Sequence, residues 1–558
     1  MAMSGPTTNS PANPVRLIAL GGLGEIGLNA MLLEYGEQAL MIDAGVMFAE
    51  GGSPGLDLIV PDLAYLDAGR CKLGGIVLTH GHDDHIGALP HILRRFPVPV
   101  FGTRFTLALA RRRLREQGVE AELHEIEPRR TFTVGPFEIE PIRVAHSTPD
   151  SVALAIDTPA GLIIHSGDFK VETGASDSEP FDRERFGELG HRGVAMLLSD
   201  STNAEREGRT PAESSLRPML REVISRVRGQ FFLSSFSSHV YRIRQVAEVS
   251  HEFGRRVVPL GRRMIDSVRL GVELGYINLP LGTFIDQNEA EFLSPNRLTF
   301  IAAGSQGEPL SAMTKLASDT HPWARVASGD TVMLSSRAIP GNERRIHTAI
   351  NQLCKRGADV LHEAVASVHV SGHASRDELS ELIRLTRPKY FVPIHGEYRH
   401  LALHRALAIE TGLSERDCYL LEDGQTMELR DTGARRGTSV EAGRIMSDGS
   451  RPEDLQLTRE RQTLGRYGTV FVVVTISRTS GKIIGGPDLI SRGLVSGDGT
   501  SAHMARARDE LRIFLRQSES TLGWRDGRLK QQLVHALSRY FLDEMGRRPM
   551  VVPCVMEL

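Results

Sequence analysis

The chain has little cysteine, four residues in 558. Cys71, Cys354, Cys418 and Cys554 lie far apart and form no C-x-x-C pair, which argues against a disulfide framework and a cysteine-based zinc site. No run approaches the roughly 20 apolar residues of a membrane-spanning helix. The opening residues, MAMSGPTTNSPANP, are polar and proline-rich, without the charged-then-apolar layout of a secretion signal. Strong net charge is also missing, since 66 Lys and Arg against 69 Asp and Glu leave −3. Global charge therefore announces no nucleic-acid partner, although a local basic groove is compatible with it. Basic clusters such as Arg111-Arg112-Arg113, Arg129-Arg130, Arg262-Arg263 and Arg344-Arg345 read singly as solvated faces. There are no internal repeats. These absences predict a reduced, cytoplasmic protein with no membrane partner.

Apolar residues make up 41% and charged residues 24%, the balance of a globular protein. At about 150 residues per domain the length predicts three or four folding units. Short apolar runs ending on polar residues fill the first part: GGIVLTH, FEIEPIRVAH, SVALAIDTP, GLIIHSGDF and VAMLLSDST. They read as strands, whose ends in layered α/β folds collect active-site groups. From about Pro211 to Gly372 helical segments (VYRIRQVAEVSHEFG, RRIHTAINQLCKRG) alternate with strands (GQFFLSSF, LTFIAAG, TVMLSS), the pattern of a helix-covered parallel sheet. The earlier pattern then resumes in YFVPIHGE, so the middle reads as an insertion. The boundaries predicted are a core in two parts, 1–211 and 375–430, an insert at 212–374, a polar linker at 431–455 and a small α/β module at 456–558. In the last, two strands, two helices and a strand are expected.

The strongest chemical signal is His80-Gly-His82-Asp83-Asp84-His85 after an apolar run. His146, Asp168 and His395 stand at later strand ends. Seven nitrogen and oxygen donors are too many for one tetrahedral ion and suit two ions with a bridging carboxylate. We assign His80, His82 and His146 to one ion, Asp84, His85 and His395 to the other, and Asp168 to the bridge. Such a pair activates water for hydrolysis, and Asp84 counts among the catalytic residues. Zinc is the expected ion, with manganese or magnesium as alternatives. Gly22-Leu23-Gly24-Glu25-Ile26-Gly27 satisfies G-x-G-x-x-G, but a strand hairpin follows it instead of the helix a dinucleotide site needs. It reads as a glycine turn beside the metal loop. Asp43, at a strand end, is either an ordinary strand-end aspartate or a residue orienting a ligand from behind.

H-x-H-x-D-H with later His, Asp and His resembles the metallo-β-lactamase superfamily. The insert, Asp200 in LLSDST, His373 in HVSGHAS and His395 narrow the resemblance to its β-CASP branch. GGLGEIGLN, LTHGHDDHIGALP, LLSDSTNAE, GSQGEP, HVSGHAS and PIHGEYRHL are similar to the ribonuclease J family over nearly the whole chain. The resemblance implies an α/β fold: a metallo-β-lactamase αββα sandwich, an inserted β-CASP α/β domain and a small C-terminal α/β domain. It implies a metal-dependent 5′→3′ exonuclease and endonuclease acting on 5′-monophosphorylated single-stranded RNA in rRNA maturation and mRNA decay. Histidine at the last ligand position is typical of the branch's RNA enzymes.

The resemblance also assigns roles. His373 is the candidate general acid or transition-state stabiliser, and Asp200 holds its tautomer. His369, Val370, Ser371, Gly372, His373 and Ser375, with Ser237, Ser238 and His239, are expected to contact RNA and its 5′-phosphate. The alternative for these serines is ordinary strand-end chemistry. Arg242 is a candidate groove residue. The C-terminal module is expected to hold a homodimer or homotetramer, its alternative being simple packing. Two other functions compete. A hydrolase of the same fold acting on DNA or a small ester is disfavoured by His395 and the insert, and a non-catalytic RNA-binding subunit by the full ligand set.

Overall fold

A computed structural model describes residues 13–49, 58–172, 180–308, 310–339, 341–447, 455–480, 482–494, 499–518 and 528–558. The chain divides into two compact units, one of Met1–Phe48 with Ile59–Arg444 and one of Ala49–Leu58 with Ile445–Leu558.

The larger unit is built on two stacked sheets. One has eight strands in the order Gly433–Arg436, Thr426–Arg430, Val15–Gly21, Ala30–Tyr35, Gln38–Ile42, Lys72–Val77, Val100–Gly102, Leu123–Glu125. The other has six, in the order Phe132–Val134, Phe137–Arg143, Val152–Thr158, Gly161–His165, Met196–Asp200, Tyr390–Ile394. Alternating apolar side chains of both inner faces, among them Leu17, Leu33, Leu40, Ile139, Leu154 and Val392, form one buried core. Outside the second sheet, Phe186, Leu382 and Leu407 of helices Arg183–Arg192, Arg376–Thr386 and Tyr398–Glu410 cover Ile164, Leu197 and Phe391. Helices Leu89–Arg95 and Arg104–Glu116 lie on the side of the first sheet. This is the expected αββα sandwich.

The insertion is visible in one register. Met196–Asp200 and Tyr390–Ile394 pair in parallel, Met196 with Tyr390 through Asp200 with Ile394. The residues between them make a separate five-stranded sheet, all parallel, in the order Arg256–Leu260, Leu298–Ala302, Phe231–Ser234, Thr331–Leu334, Asp359–Leu361. One face is packed by Ile224, Ile243, Val246 and Met264, the other by Met313, Leu316 and Leu353. Both faces are thus covered, as a parallel sheet requires.

The second unit carries the expected order: strands Thr469–Ile476 and Ile483–Arg492, helices Gly499–Ser518 and Arg528–Met545, strand Met550–Glu557. One boundary differs from expectation. Gly433–Arg436, placed in the linker by its polarity, is the edge strand of the large sheet, paired with Thr426–Arg430. Leu455–Tyr467 is a helix preceding the first strand, an addition to the expected order.

Candidate metal centre and active site

Each ligand segment begins within three residues of a strand's carboxyl end: His80 after Lys72–Val77, His146 after Phe137–Arg143, Asp168 after Gly161–His165, His395 after Tyr390–Ile394. Asp84 and His85 lie on a single helical turn, Asp83–Ile86, with His82 at its N-cap. Backbone geometry here is specialised. Asp43 (φ 61°) and His395 (φ 53°) are non-glycine residues in the left-handed region, a cost met where the surrounding structure fixes a functional side chain. At Gly45 a Cβ would stand 1.6 Å from the Asp84 carbonyl oxygen, so only glycine lets this loop pass under the turn. At Gly372 it would press on the His146 ring at 2.7 Å.

The donors gather in two sets sharing Asp168. His80, His82, His146 and Asp168 form one, and Asp84, His85, Asp168 and His395 the other, with ligand atoms within 4.8 Å of one another in each. A third set, Asp168, Asp200, His373 and His395, adjoins them. Asp168 Oδ2 lies 3.3 Å from His85 Nε2 and 3.6 Å from the Nε2 atoms of both His80 and His395.

Hydrogen bonding fixes which ring nitrogen is available. Thr79 Oγ1 donates to Asp43 (2.8 Å), leaving its oxygen to accept from His80 Nδ1 (3.1 Å). His85 Nδ1 donates to Asp43 (2.8 Å) and His146 Nδ1 to the Gly372 carbonyl (2.8 Å). Thr202 Oγ1 donates to Asp200 (2.8 Å) and accepts from His395 Nδ1 (2.7 Å). In all four rings Nδ1 is engaged by an oxygen acceptor, which turns Nε2 inward. His82 is reversed, with Nε2 beside Ser147 Oγ (3.2 Å) and Nδ1 inward. That Nδ1 faces His80 Nε2 at 3.0 Å and His146 Nε2 at 3.2 Å. Convergent lone pairs beside carboxylates repel one another unless a cation lies among them, so the donor set fits divalent metal ions.

The electrostatics separate the two sets. Burial, reinforced by neighbouring imidazoles, holds His80 and His146 well below the ordinary histidine value. Burial likewise lowers His82, to about 4. At His85 and His395 burial is outweighed by carboxylates, Asp168 foremost, and both are raised. His373 is also raised: burial lowers it, but Asp200 and Asp168 prevail. Its Nδ1 donates to Asp200 at 2.8 Å.

The sequence-predicted ligands, Asp200 and His373 are therefore brought together. Asp43 lies behind them, bonded to Thr79 and His85. Ser371 Oγ accepts from Asn203 Nδ2 (2.9 Å), which also donates to the His373 carbonyl (2.9 Å). Val370 and Gly372 are buried, and Ser237 and Ser238 sit half-buried in the turn before helix Val240–Glu252. One expectation needs correction. Arg242 is no groove residue: it is fully buried and bonded to Glu213 at 2.5 and 3.0 Å, because a guanidinium is tolerated inside only when paired. His239 is buried as the N-cap of its helix, 3.6 Å from Glu213, and burial lowers its pKa to about 3. Half-buried His369 feels the same Arg242 and His239. Ser375 is buried at the N-cap of Arg376–Thr386, donating its N–H to Glu378 (2.9 Å) with Thr210 Oγ1 beside its hydroxyl (2.9 Å). Thr79, Thr202, Ser147, Asn29 and Asn203 were not singled out. They adjoin ligand motifs in sequence or space, but hydroxyls and amides at strand ends are too common to signal a role.

The two-sheet sandwich, the insert and the donor sets define a metallo-β-lactamase-fold hydrolase of the β-CASP kind. Family models agree: the metallo-beta-lactamase superfamily over residues 23–206, the ribonuclease J beta-CASP domain over 228–353, the Zn-dependent metallo-hydrolase RNA specificity domain over 357–420, and the ribonuclease J C-terminal domain over 457–558. Ribonuclease J 1 of Streptococcus pyogenes is 35% identical over 98% of each chain. Ribonuclease J2 of Bacillus subtilis is 34% identical over 98% of this chain and 99% of its own. Ribonuclease J of Mycolicibacterium smegmatis is 35% identical over 98% and 97%. A solved structure from Enterococcus faecalis, of a protein of unknown function, shares the fold at TM-score 0.52 and 17% identity, covering 75% of this chain and 100% of that one. The chain belongs to the ribonuclease J family. It is a metal-dependent ribonuclease whose hydrolytic chemistry uses divalent ions and whose substrate is single-stranded RNA. Among the described residues no helix is long and apolar enough to cross a membrane.

Proposed function

We propose that the enzyme degrades and matures RNA from the 5′ end, as a 5′→3′ exonuclease on 5′-monophosphorylated single strands with endonuclease activity besides, in rRNA maturation and mRNA decay. The observation that carries the site assignment is the sharing of Asp168 by two four-donor sets, with His373–Asp200 alongside. His80, His82 and His146 would hold one ion, Asp84, His85 and His395 the other, and Asp168 both. Zinc suits these imidazole-rich donors best, with manganese or magnesium as alternatives. Bound there, the ions supply an activated water and charge neutralisation at the phosphate. His373, kept protonated by Asp200, gives the proton to the leaving oxygen. Ser371 and Gly372, with Ser237 and Ser238, make a small-residue cradle for a terminal phosphate, and His239 and His369 support it from beneath. A pocket that takes one phosphate and leaves the scissile bond a nucleotide further in accounts for exonucleolytic polarity.

For assembly, the C-terminal sheet offers its open face. Phe471, Ile490 and Val552 stand abreast on the three strands, with Cys554 and Met556 beside them, all at least partly exposed. A second copy covering this face gives the homodimer, or in pairs the homotetramer. We place the enzyme in the cytoplasm, as its four unpaired cysteines suit.

The test is one end-labelled single-stranded RNA bearing 5′-monophosphate, 5′-triphosphate or 5′-hydroxyl, with and without chelator. Chelator-sensitive release of mononucleotides from the monophosphate form is expected. Internal cuts indifferent to the 5′ end would remove the terminal pocket.

A further inference from the structure

Asp83 stands between two proposed ligands, His82 and Asp84, yet its side chain turns away from them. Consecutive residues of a helical turn point about 100° apart. Asp84 accordingly faces His395 at 3.4 Å, whereas Asp83 faces the insert. Arg263, in the first turn of insert helix Arg262–Glu273, donates from Nη1 to Asp83 Oδ2 at 2.9 Å. Arg113 of core helix Arg104–Glu116 approaches the other carboxylate oxygen at 3.8 Å. The same two helices meet again where Arg112 Nε stands 3.5 Å from Asp266 Oδ2.

The turn that Asp83 belongs to is held together by its backbone. The Asp83 carbonyl accepts from Gly87 (2.7 Å) and Val46 (3.2 Å), and the Asp84 carbonyl accepts from the Asn29 backbone (3.1 Å). It carries His82 of one donor set and Asp84 and His85 of the other. A pull on Asp83 is therefore transmitted to both ion positions at once. The Arg263 and Asp83 side chains are 49% and 35% exposed, so the bridge is weak, salt-screened and able to open.

We infer that the Arg263–Asp83 bridge couples the seating of the insert to the geometry of the metal turn, making both residues positioning residues for RNA cleavage. The inference rests on the proposed ligand set. Cleavage competence then depends on the insert lying closed over the core, which ties RNA gripping to chemistry across a contact that touches neither ion nor substrate.

The test is a double-mutant cycle. kcat at saturating single-stranded RNA is measured for Arg263→Ala, Arg263→Lys, Asp83→Asn and the Arg263→Ala/Asp83→Asn double variant, with bound metal per chain and thermal unfolding recorded for each. Each removal is expected to lower kcat about fivefold, the size of a half-exposed ion pair. Arg263→Lys retains most activity, the double variant is no slower than either single, metal content stays at the wild-type level, and raising salt narrows the gap between wild type and Arg263→Ala. Additive losses, or unchanged kcat in Arg263→Ala, overturn the coupling. So does loss of metal in Asp83→Asn with a normal Arg263→Ala enzyme, which would make Asp83 a support of the metal turn alone. A wild-type enzyme with no metal-dependent RNA cleavage would instead contradict the reading beneath it.

Discussion

At the scale of the residue, the centre is organised from behind. Four imidazoles have Nδ1 engaged by Thr79, Asp43, Gly372 and Thr202, so each ring is oriented with Nε2 inward. His80→Ala or Asp84→Ala should abolish hydrolysis while circular dichroism stays native; retained activity would contradict the ligand assignment. Asp43→Ala removes three hydrogen bonds of this support without removing a ligand, and should weaken metal affinity by about 10–100-fold in a chelator competition. His373 gives a pH prediction. Burial lowers its pKa, but Asp200 and Asp168 raise it above the ordinary value, so the acid form persists to higher pH. Activity should be present below that raised value and fall as pH rises through it. Asp200→Asn leaves burial but takes away the carboxylate, so the alkaline limb of kcat should move to lower pH; an unmoved limb would deny His373 the role of proton donor.

At the scale of the element, the site is a consequence of strand ends and one register. Asp200 and Ile394 are paired neighbours although the whole insert lies between them, which sets His395 and Asp200 side by side. Phe391, the second residue of that strand, is fully buried against the outer helices. Phe391→Ala should cost about 3–5 kcal/mol and lower the thermal midpoint, with metal-dependent activity falling in parallel. Much of this was legible in the chain itself. Apolar runs ending on His or Asp marked the strands, and strand–helix alternation marked the insert. The hairpin Ala30–Tyr35 and Gln38–Ile42 follows the Gly22–Gly27 segment, as its strand-like sequence predicts. Other features depend on tertiary partners. Gly433–Arg436 has no apolar alternation and is a strand only because Thr426–Arg430 offers it an edge. Arg242 read as a surface cation because its partner Glu213 lies 29 residues earlier and meets it only in the fold. Helix Arg262–Glu273 went unread although Met264, Val268 and Gly271 supply its buried face.

At the scale of the whole molecule, the chain combines a hydrolytic core, an insert tied to the metal turn and a C-terminal module with an open sheet face. Replacing Phe471 with Asp should shift the sedimentation coefficient toward the monomer while metal-dependent RNA cleavage persists; an unchanged assembly would place the contact elsewhere. The central claim is that two ions sharing Asp168 perform the cleavage. It is tested most directly by stripping the full-length enzyme with chelator and titrating zinc back, with bound metal and RNA cleavage followed together. Binding that saturates at two ions per chain, with cleavage reaching its plateau only at the second, is the predicted result. Saturation of both at one ion, or cleavage that survives complete stripping, would contradict it.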